Sequence, residues 1–126
     1  MRSLILCAAF AAVLFAAGVA GTYKGSYTGS AASGDIQVAL KQADDGAWKA
    51  EVTFTYDGQD IKTKIKSVAV DGAKVKIIYE FDLDDNALES TIMGELKETT
   101  LAGDYHTRSP GDGSAVDEGT WKAVVQ

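Results

Sequence analysis

Cysteine, histidine and proline are nearly absent from this chain. The 126 residues include one cysteine, one histidine and one proline. The cysteine, Cys7, lies in an apolar N-terminal segment that we expect to be removed, so the rest of the chain has no thiol for a disulfide. One histidine without cysteine does not supply the usual ligands of a transition metal. We therefore expect no metal site and no other cofactor.

Positive charge is also scarce. The chain has 12 Lys and Arg residues against 18 Asp and Glu residues, which gives a formal net charge of −6. Nucleic acids and anionic lipids bind surfaces that are rich in positive charge, because basic side chains neutralise phosphates and release counterions. We therefore expect no nucleic-acid partner and no attraction to an anionic membrane surface.

The N-terminal segment has the layout of a secretory signal peptide. Arg2 precedes an apolar run over residues 4–17, and small residues follow at 18–21. This order of charged, apolar and small residues predicts export, with cleavage after Ala20. A membrane anchor is the alternative, but the run is shorter than the roughly 20 residues that span a bilayer. The strand pattern also begins directly after it.

The predicted organisation is therefore a signal peptide at 1–20 and one domain at 21–126. A domain of this size can fold on its own apolar core. We expect it to be secreted or periplasmic, with no stable membrane insertion after processing.

Asp-Gly pairs recur between stretches in which apolar and polar residues alternate. They stand at 45–46, 57–58, 71–72 and 112–113. Asp-Gly in this setting is the strongest local signal for a tight hairpin, because the favoured turns need a positive φ that glycine adopts freely. The pairs predict a meander of antiparallel strands.

Alternation of period two places the strands. We predict eight, over 22–28, 35–42, 47–56, 59–70, 73–83, 87–97, 101–108 and 117–125. One face of these strands is apolar and the other is rich in lysine and glutamate, as in an antiparallel sheet with one wet face. The fold predicted is all-β, an eight-stranded antiparallel up-and-down barrel of the lipocalin-like kind. An open β-sandwich is the alternative.

Two irregularities indicate where the sheet bends. The apolar positions of the fourth strand change from odd to even numbers near Lys66 and Ser67, which predicts a β-bulge. Glycines on the inward face allow strong coiling or a close approach of strands. These glycines are Gly25, Gly94, Gly103 and Gly119.

An up-and-down chain would place its long loops, 29–34 and 108–116, at the end away from the termini. Loops on a rigid scaffold commonly carry binding residues. The residues predicted to ring the interior there and to bind a ligand are Tyr27, Phe54, Tyr56, Phe81, Leu88 and Tyr105. The opposite end is predicted to be plugged by Tyr23, Leu40, Trp48, Val70, Val75, Leu96 and Leu101. The alternative is that all of them are ordinary core, since pockets and cores share a composition.

Residues suited to catalysis do not form a convincing constellation. His106 shares a strand face with Asp104, and Ser109 is near in sequence, but this face is the predicted wet one. A nucleophile and its base need a pocket that excludes water. The acidic segment 82–86 resembles the start of a calcium loop, yet Ala87 stands where that loop needs glycine. We expect an acidic hairpin turn there, no catalytic residue and no enzyme.

Three features of the sequence carry a resemblance to known proteins. They are the opening Gly21-Thr22-Tyr23-Lys24-Gly25-Ser26-Tyr27-Thr28-Gly29, the Asp-Gly hairpins and the closing Gly119-Thr120-Trp121-Lys122-Ala123. Together they resemble a group of small secreted bacterial β-meander proteins without an assigned function. In architecture the chain is similar to the lipocalin and fatty-acid-binding (calycin) superfamily. The Gly-x-Trp signature of lipocalins lies on the first strand, whereas this chain has Gly119-Thr120-Trp121 on its last predicted strand. This likeness implies a barrel that holds an apolar ligand.

The function expected from these observations is non-covalent binding of a small apolar or amphipathic ligand. Its tail would lie inside the barrel, and its polar end would bind the hydroxyls of Tyr27, Tyr56 and Tyr105 at the rim. The alternative is a protein-interaction or inhibitor module with a filled core, which would act through the two long loops or the charged faces. No residue identifies a protein partner.

Overall fold

The described part of the chain, residues 18–126, is a single antiparallel sheet in the computed structural model. Its strands are β1 (Gly21–Gly29), β2 (Ser33–Gln42), β3 (Trp48–Tyr56), β4 (Gln59–Lys62), β5 (Lys64–Asp71), β6 (Lys74–Leu83), β7 (Asn86–Lys97), β8 (Thr100–Arg108) and β9 (Ala115–Val125). The predicted signal peptide lies outside the described residues as far as residue 17. No helix in residues 18–126 is long and apolar enough to cross a bilayer.

The sheet closes almost completely on itself. Its strand order is β4-β3-β2-β1-β9-β8-β7-β6-β5, so the first and last long strands are hydrogen-bonded neighbours. β5 packs against β3 across the remaining gap, which gives a nearly closed barrel. The all-β, up-and-down barrel is confirmed, and the open sandwich is not formed.

The strand count differs from the prediction because the expected fourth strand, 59–70, is divided in two. β4 pairs with β3, whereas β5 pairs with β6. The division lies at Thr63, whose hydroxyl donates a hydrogen bond to the Val52 carbonyl at 2.6 Å. The chain turns a corner of the barrel here, so its two halves bond to different neighbours. The described barrel thus has nine strands rather than eight.

The predicted β-bulge is confirmed. Ile65 pairs with Tyr79 and Ser67 with Ile78, which leaves Lys66 as the extra residue. A second register shift, between Thr107 and Arg108, was not predicted.

The glycines of all four Asp-Gly pairs have positive φ, as predicted, and two other hairpins have positive φ without glycine, one of them at Glu98. Asp57 and Gly58 both have positive φ, 53° and 79°, as a type I′ turn requires. Asp84 and Asp85 adopt the same pattern, 51° and 67°, without a glycine. Aspartate tolerates this left-handed region better than most residues. The predicted acidic hairpin turn at this site is confirmed.

Inward side chains fill the barrel at the end near the chain termini. Tyr23, Leu40, Val75 and Leu101 are buried there, and Trp48, Val70 and Leu96 are half-buried against them. The largest buried side chain of the barrel is elsewhere, at Trp121, whose indole nitrogen donates to the Met93 carbonyl at 3.1 Å.

Two inward glycines make room for this indole. Gly94 and Gly103 are cross-strand partners, and Gly103 in turn pairs with Trp121. A β-carbon at Gly94 would lie 2.7 Å from the indole ring. One at Gly103 would lie 2.8 Å from the Gly94 Cα and would overlap the Met93 carbonyl oxygen. Since backbone atoms cannot yield as a flexible side chain can, the strands approach closely only because both residues are glycine.

The first prediction concerns Gly103. We expect Gly103→Ala to lower the free energy of unfolding by about 1 to 3 kcal/mol through overpacking and backbone displacement. Gly111→Ala is the matched control, because a β-carbon there has no neighbour within 4 Å. It should change stability by less than about 0.5 kcal/mol. Denaturant unfolding measures both, and equal midpoints would show that the close approach at Gly103 is misplaced.

Val19 belongs to the core at the end near the chain termini, although it precedes β1. It is 2% exposed, and its carbonyl accepts a hydrogen bond from the Tyr23 hydroxyl at 2.9 Å. Cleavage after Ala20, as expected from the sequence, would remove this residue. Tyr23, itself 1% exposed, would then lose both its cover and its acceptor.

The second prediction compares chains that begin at Val19 and at Gly21. We expect the shorter chain to be less stable by about 2 kcal/mol, from lost apolar burial and one lost hydrogen bond. Chemical denaturation of the two chains measures the difference. Indistinguishable unfolding curves would mean that Val19 contributes nothing to the core. The mass of exported protein then reveals which chain the cell makes.

Candidate functional site

A cavity of about 110 Å³ lies at the barrel end away from the chain termini. The exposed Ala31 and Val116 stand at its outer edge, and Ile92 lies deep within it. All six residues predicted to bind a ligand line this cavity, namely Tyr27, Phe54, Tyr56, Phe81, Leu88 and Tyr105. Four further lining residues, which the sequence pattern did not predict, are polar or aromatic. They are Tyr79, Ser90, Thr107 and Asp117.

Aromatic rings form one wall of the cavity and brace one another edge to face. The Tyr27 ring is 5.7 Å from Phe54 and 5.8 Å from Tyr105, nearly perpendicular to each. Phe54 is also 4.9 Å from Phe81 in the same arrangement. Edge-to-face pairs are favoured by the ring quadrupole, which has a negative face and a positive edge. These contacts hold the rings in a defined arrangement around the cavity.

Two of the three tyrosine hydroxyls expected to serve a ligand are already used by the protein. The Tyr27 hydroxyl donates to the Thr55 carbonyl at 2.5 Å, and the Tyr105 hydroxyl donates to Asp117 at 2.7 Å. These two hydroxyls therefore have no proton left to donate to a ligand, although each oxygen can still accept a hydrogen bond. Among the three, only the half-buried Tyr56 has no hydrogen bond from its hydroxyl within residues 18–126.

Asp117 is the polar centre of the site. It is 9% exposed and accepts hydrogen bonds from the Tyr105 hydroxyl, the Ala31 amide at 2.8 Å and the Ser30 hydroxyl at 3.2 Å. These bonds connect the loop between β1 and β2 to the start of β9. Strand alternation holds the clue that was missed, since Asp117 has the same parity as the inward Trp121.

A second polar spot lies deeper on the wall. Ser90 on β7 and Thr107 on β8 are cross-strand partners, both buried, and their hydroxyls are hydrogen-bonded to each other. Each lies at an inward position of its strand. Both are polar residues on a face that the sequence pattern predicts to be apolar, so neither was predicted as a site residue.

Glu89 is buried although it lies on the outer face of β7. Its carboxylate accepts from the Lys66 ammonium at 2.7 Å and from the Arg108 guanidinium at 2.8 and 3.1 Å. The hydrogen bonds from Lys66, then those from Arg108, hold the pKa of Glu89 below its usual value. The bulge residue Lys66 thus has a defined role, and Arg108 is engaged away from the cavity.

The other candidate side chains lie apart from the cavity. His106 and Asp104 are exposed on the outer face of β8, as the strand pattern predicts. Within residues 18–126, no group of three His, Cys, Asp or Glu side chains is arranged to hold a metal ion.

Comparisons with protein-family models, with curated proteins and with solved structures found no match for this chain. A function for this protein therefore has to be inferred from the geometry of the site itself.

The third prediction follows from the buried tyrosines. Desolvation by burial raises the pKa of Tyr23, Tyr27, Tyr79 and Tyr105 above the ordinary value. At Tyr105 the hydrogen bond to Asp117 and the charge of that carboxylate raise it further. The folded state therefore keeps protons that the unfolded state loses above about pH 10. Stability should be intact below that pH and should fall as the pH rises.

We expect at least four of the five tyrosines to ionise only as the barrel unfolds in alkali. Phenolate absorbance and far-ultraviolet circular dichroism, followed together, should therefore change in one transition. Ionisation of four tyrosines in a protein with an unchanged strand signal would contradict the burial described above.

Proposed function

We propose that the protein is a secreted or periplasmic carrier or sensor that binds a small apolar or amphipathic molecule non-covalently in the cavity. The observation that supports this is a rigid, mainly aromatic wall around an unfilled space at the loop end of the barrel. Ligand sites are typically apolar hollows with a few placed polar groups. Asp117, Ser90 and Thr107 provide such groups here.

The size of the space limits the ligand. A cavity of about 110 Å³ is somewhat smaller than the engineered cavity of about 150 Å³ that holds benzene. Pockets for drug-sized ligands are larger, about 300 to 1,000 Å³. The ligand, or the part of it inside the barrel, is therefore about one ring in size. A longer polar chain would extend outward through the mouth, because the other end is filled by Tyr23, Val75 and Leu101.

The small volume also supports a second candidate, the protein-interaction or inhibitor module. In that role the aromatic wall would be part of a nearly filled core. The loops between β1 and β2 and between β8 and β9 would then form the contact surface, since both stand at the same end of the barrel.

The fourth prediction separates these two functions with toluene as the probe. We expect wild-type protein to bind toluene, and Tyr56→Ala to weaken that binding about tenfold, equivalent to about 1.4 kcal/mol. The Tyr56→Ala variant should lose more toluene affinity than thermal stability, because the half-buried Tyr56 is a wall residue and makes fewer packing contacts than a core residue.

Trp48→Ala is the matched control, because Trp48 is also half-buried but lies outside the cavity lining. It should lower stability and leave toluene affinity unchanged. Ligand-observed nuclear magnetic resonance and thermal unfolding measure the two effects. Absence of toluene binding by the folded wild-type protein would favour the interaction module.

A further inference from the structure

One charged side chain lines the cavity, and it is negative. Asp117 is 9% exposed, and all three of its hydrogen-bond donors are neutral. The ion pairs within residues 18–126 lie elsewhere: Lys66 pairs with Glu80 and Glu89, and Arg108 pairs with Glu89. The carboxylate at the mouth therefore has hydrogen bonds but no counter-ion.

A carboxylate in this position attracts a cation more strongly than one in water. The effective dielectric constant near buried groups is lower than that of bulk solvent, so the same charges interact more strongly. A carboxylate accepts about four hydrogen bonds, and Asp117 already accepts three. Oδ2 accepts only from Tyr105, so it can accept one further hydrogen bond.

The aromatic wall has the same preference. Tyrosine and phenylalanine faces carry the negative part of the ring quadrupole, and they bind ammonium groups by cation–π attraction. The cavity is lined by six such rings, those of Tyr27, Phe54, Tyr56, Tyr79, Phe81 and Tyr105. Cages of aromatic rings with one nearby carboxylate suit alkylammonium groups rather than anions.

The surface around the mouth adds to the negative electrostatic potential of Asp117. The connections at this end, residues 30–32, 57–58, 84–85 and 109–114, contain four aspartates and no lysine or arginine. Arg108, which directly precedes the 109–114 connection, is paired with Glu89 on the outer face. A rim of one charge sign raises the local concentration of ligands of opposite sign.

We propose that the ligand is a small organic cation, an alkylammonium or arylalkylammonium ion. Its ammonium group contacts Asp117 Oδ2 and the ring faces, and its single ring or short chain occupies the apolar depth of the cavity. This inference rests on the proposed function and specifies its ligand class. A fatty acid or another carboxylate would place two negative charges together with no cation between them.

The test uses three probes of one shape and different charge: benzylammonium, benzyl alcohol and benzoate. Calorimetric titration of the wild-type protein at neutral pH should give benzylammonium an affinity about tenfold higher than that of benzyl alcohol, with benzoate the weakest. If benzyl alcohol or benzoate binds as well as benzylammonium, the cation inference is overturned and the binding function stands. If none of the three binds and toluene does not bind, both are overturned.

Two variants examine the residues. Asp117→Asn keeps an acceptor for the loop and removes the charge, so it should lose about tenfold in benzylammonium affinity and keep its benzyl alcohol affinity. Tyr56→Leu keeps apolar volume and removes a ring face, so it should weaken benzylammonium more than benzyl alcohol. Circular dichroism verifies the fold of each. If Asp117→Asn does not fold, the comparison of the three probes on wild-type protein and the Tyr56→Leu variant still test the inference. Equal losses of benzylammonium and benzyl alcohol affinity in Tyr56→Leu would contradict the cation–π contact.

Discussion

The close approach of neighbouring strands at glycine is the constraint on which the barrel and its cavity depend. Gly29 on β1 pairs with Gly119 on β9, and Gly94 on β7 pairs with Gly103 on β8. A β-carbon at Gly29 would overlap both the Tyr105 hydroxyl and the Asp117 carboxylate. The same absence of side chains that lets one sheet bend into a ring therefore also leaves space for the polar centre of the site.

The two ends of the barrel solve different packing problems. Near the chain termini, aliphatic side chains, Tyr23 and the half-buried Trp48 fill the interior, and the Tyr23 hydroxyl is bonded to the Val19 carbonyl. At the loop end the strands present large rings, whose edge-to-face packing leaves a gap that no neighbouring side chain fills. Asp117 can lie at that end because the Ala31 amide and the Tyr105 hydroxyl donate to it, and the hydroxyls of Ser90 and Thr107 can because they bond to each other. The cavity thus results from the shape of the rings and from the need of buried polar groups for hydrogen-bond partners.

Much of this arrangement was predictable because it follows from local rules. Alternation of period two identified the apolar ring residues, and the parity change in the expected fourth strand located the bulge at Lys66. Two features were not predictable in this way. The division at Thr63 depends on which neighbour each half of the strand meets, and the burial of Val19 depends on closure of the barrel. Asp117 obeyed the alternation, but a charged residue was not expected on an apolar face.

The role of Asp117 in the fold is compatible with its proposed role in binding a cation, because its two carboxylate oxygens have different hydrogen-bond partners. Its Oδ1 atom holds the Ser30 and Ala31 side of the loop, whereas Oδ2 faces Tyr105 at the aromatic wall. Neutral donors keep the carboxylate in place without cancelling its charge. A ligand can therefore gain the attraction of that charge with little rearrangement of loop or strand, and such preorganisation lowers the cost of binding. A lysine or arginine at the rim would have stabilised the carboxylate equally well, but it would have removed the negative potential that distinguishes this cavity from an ordinary apolar void.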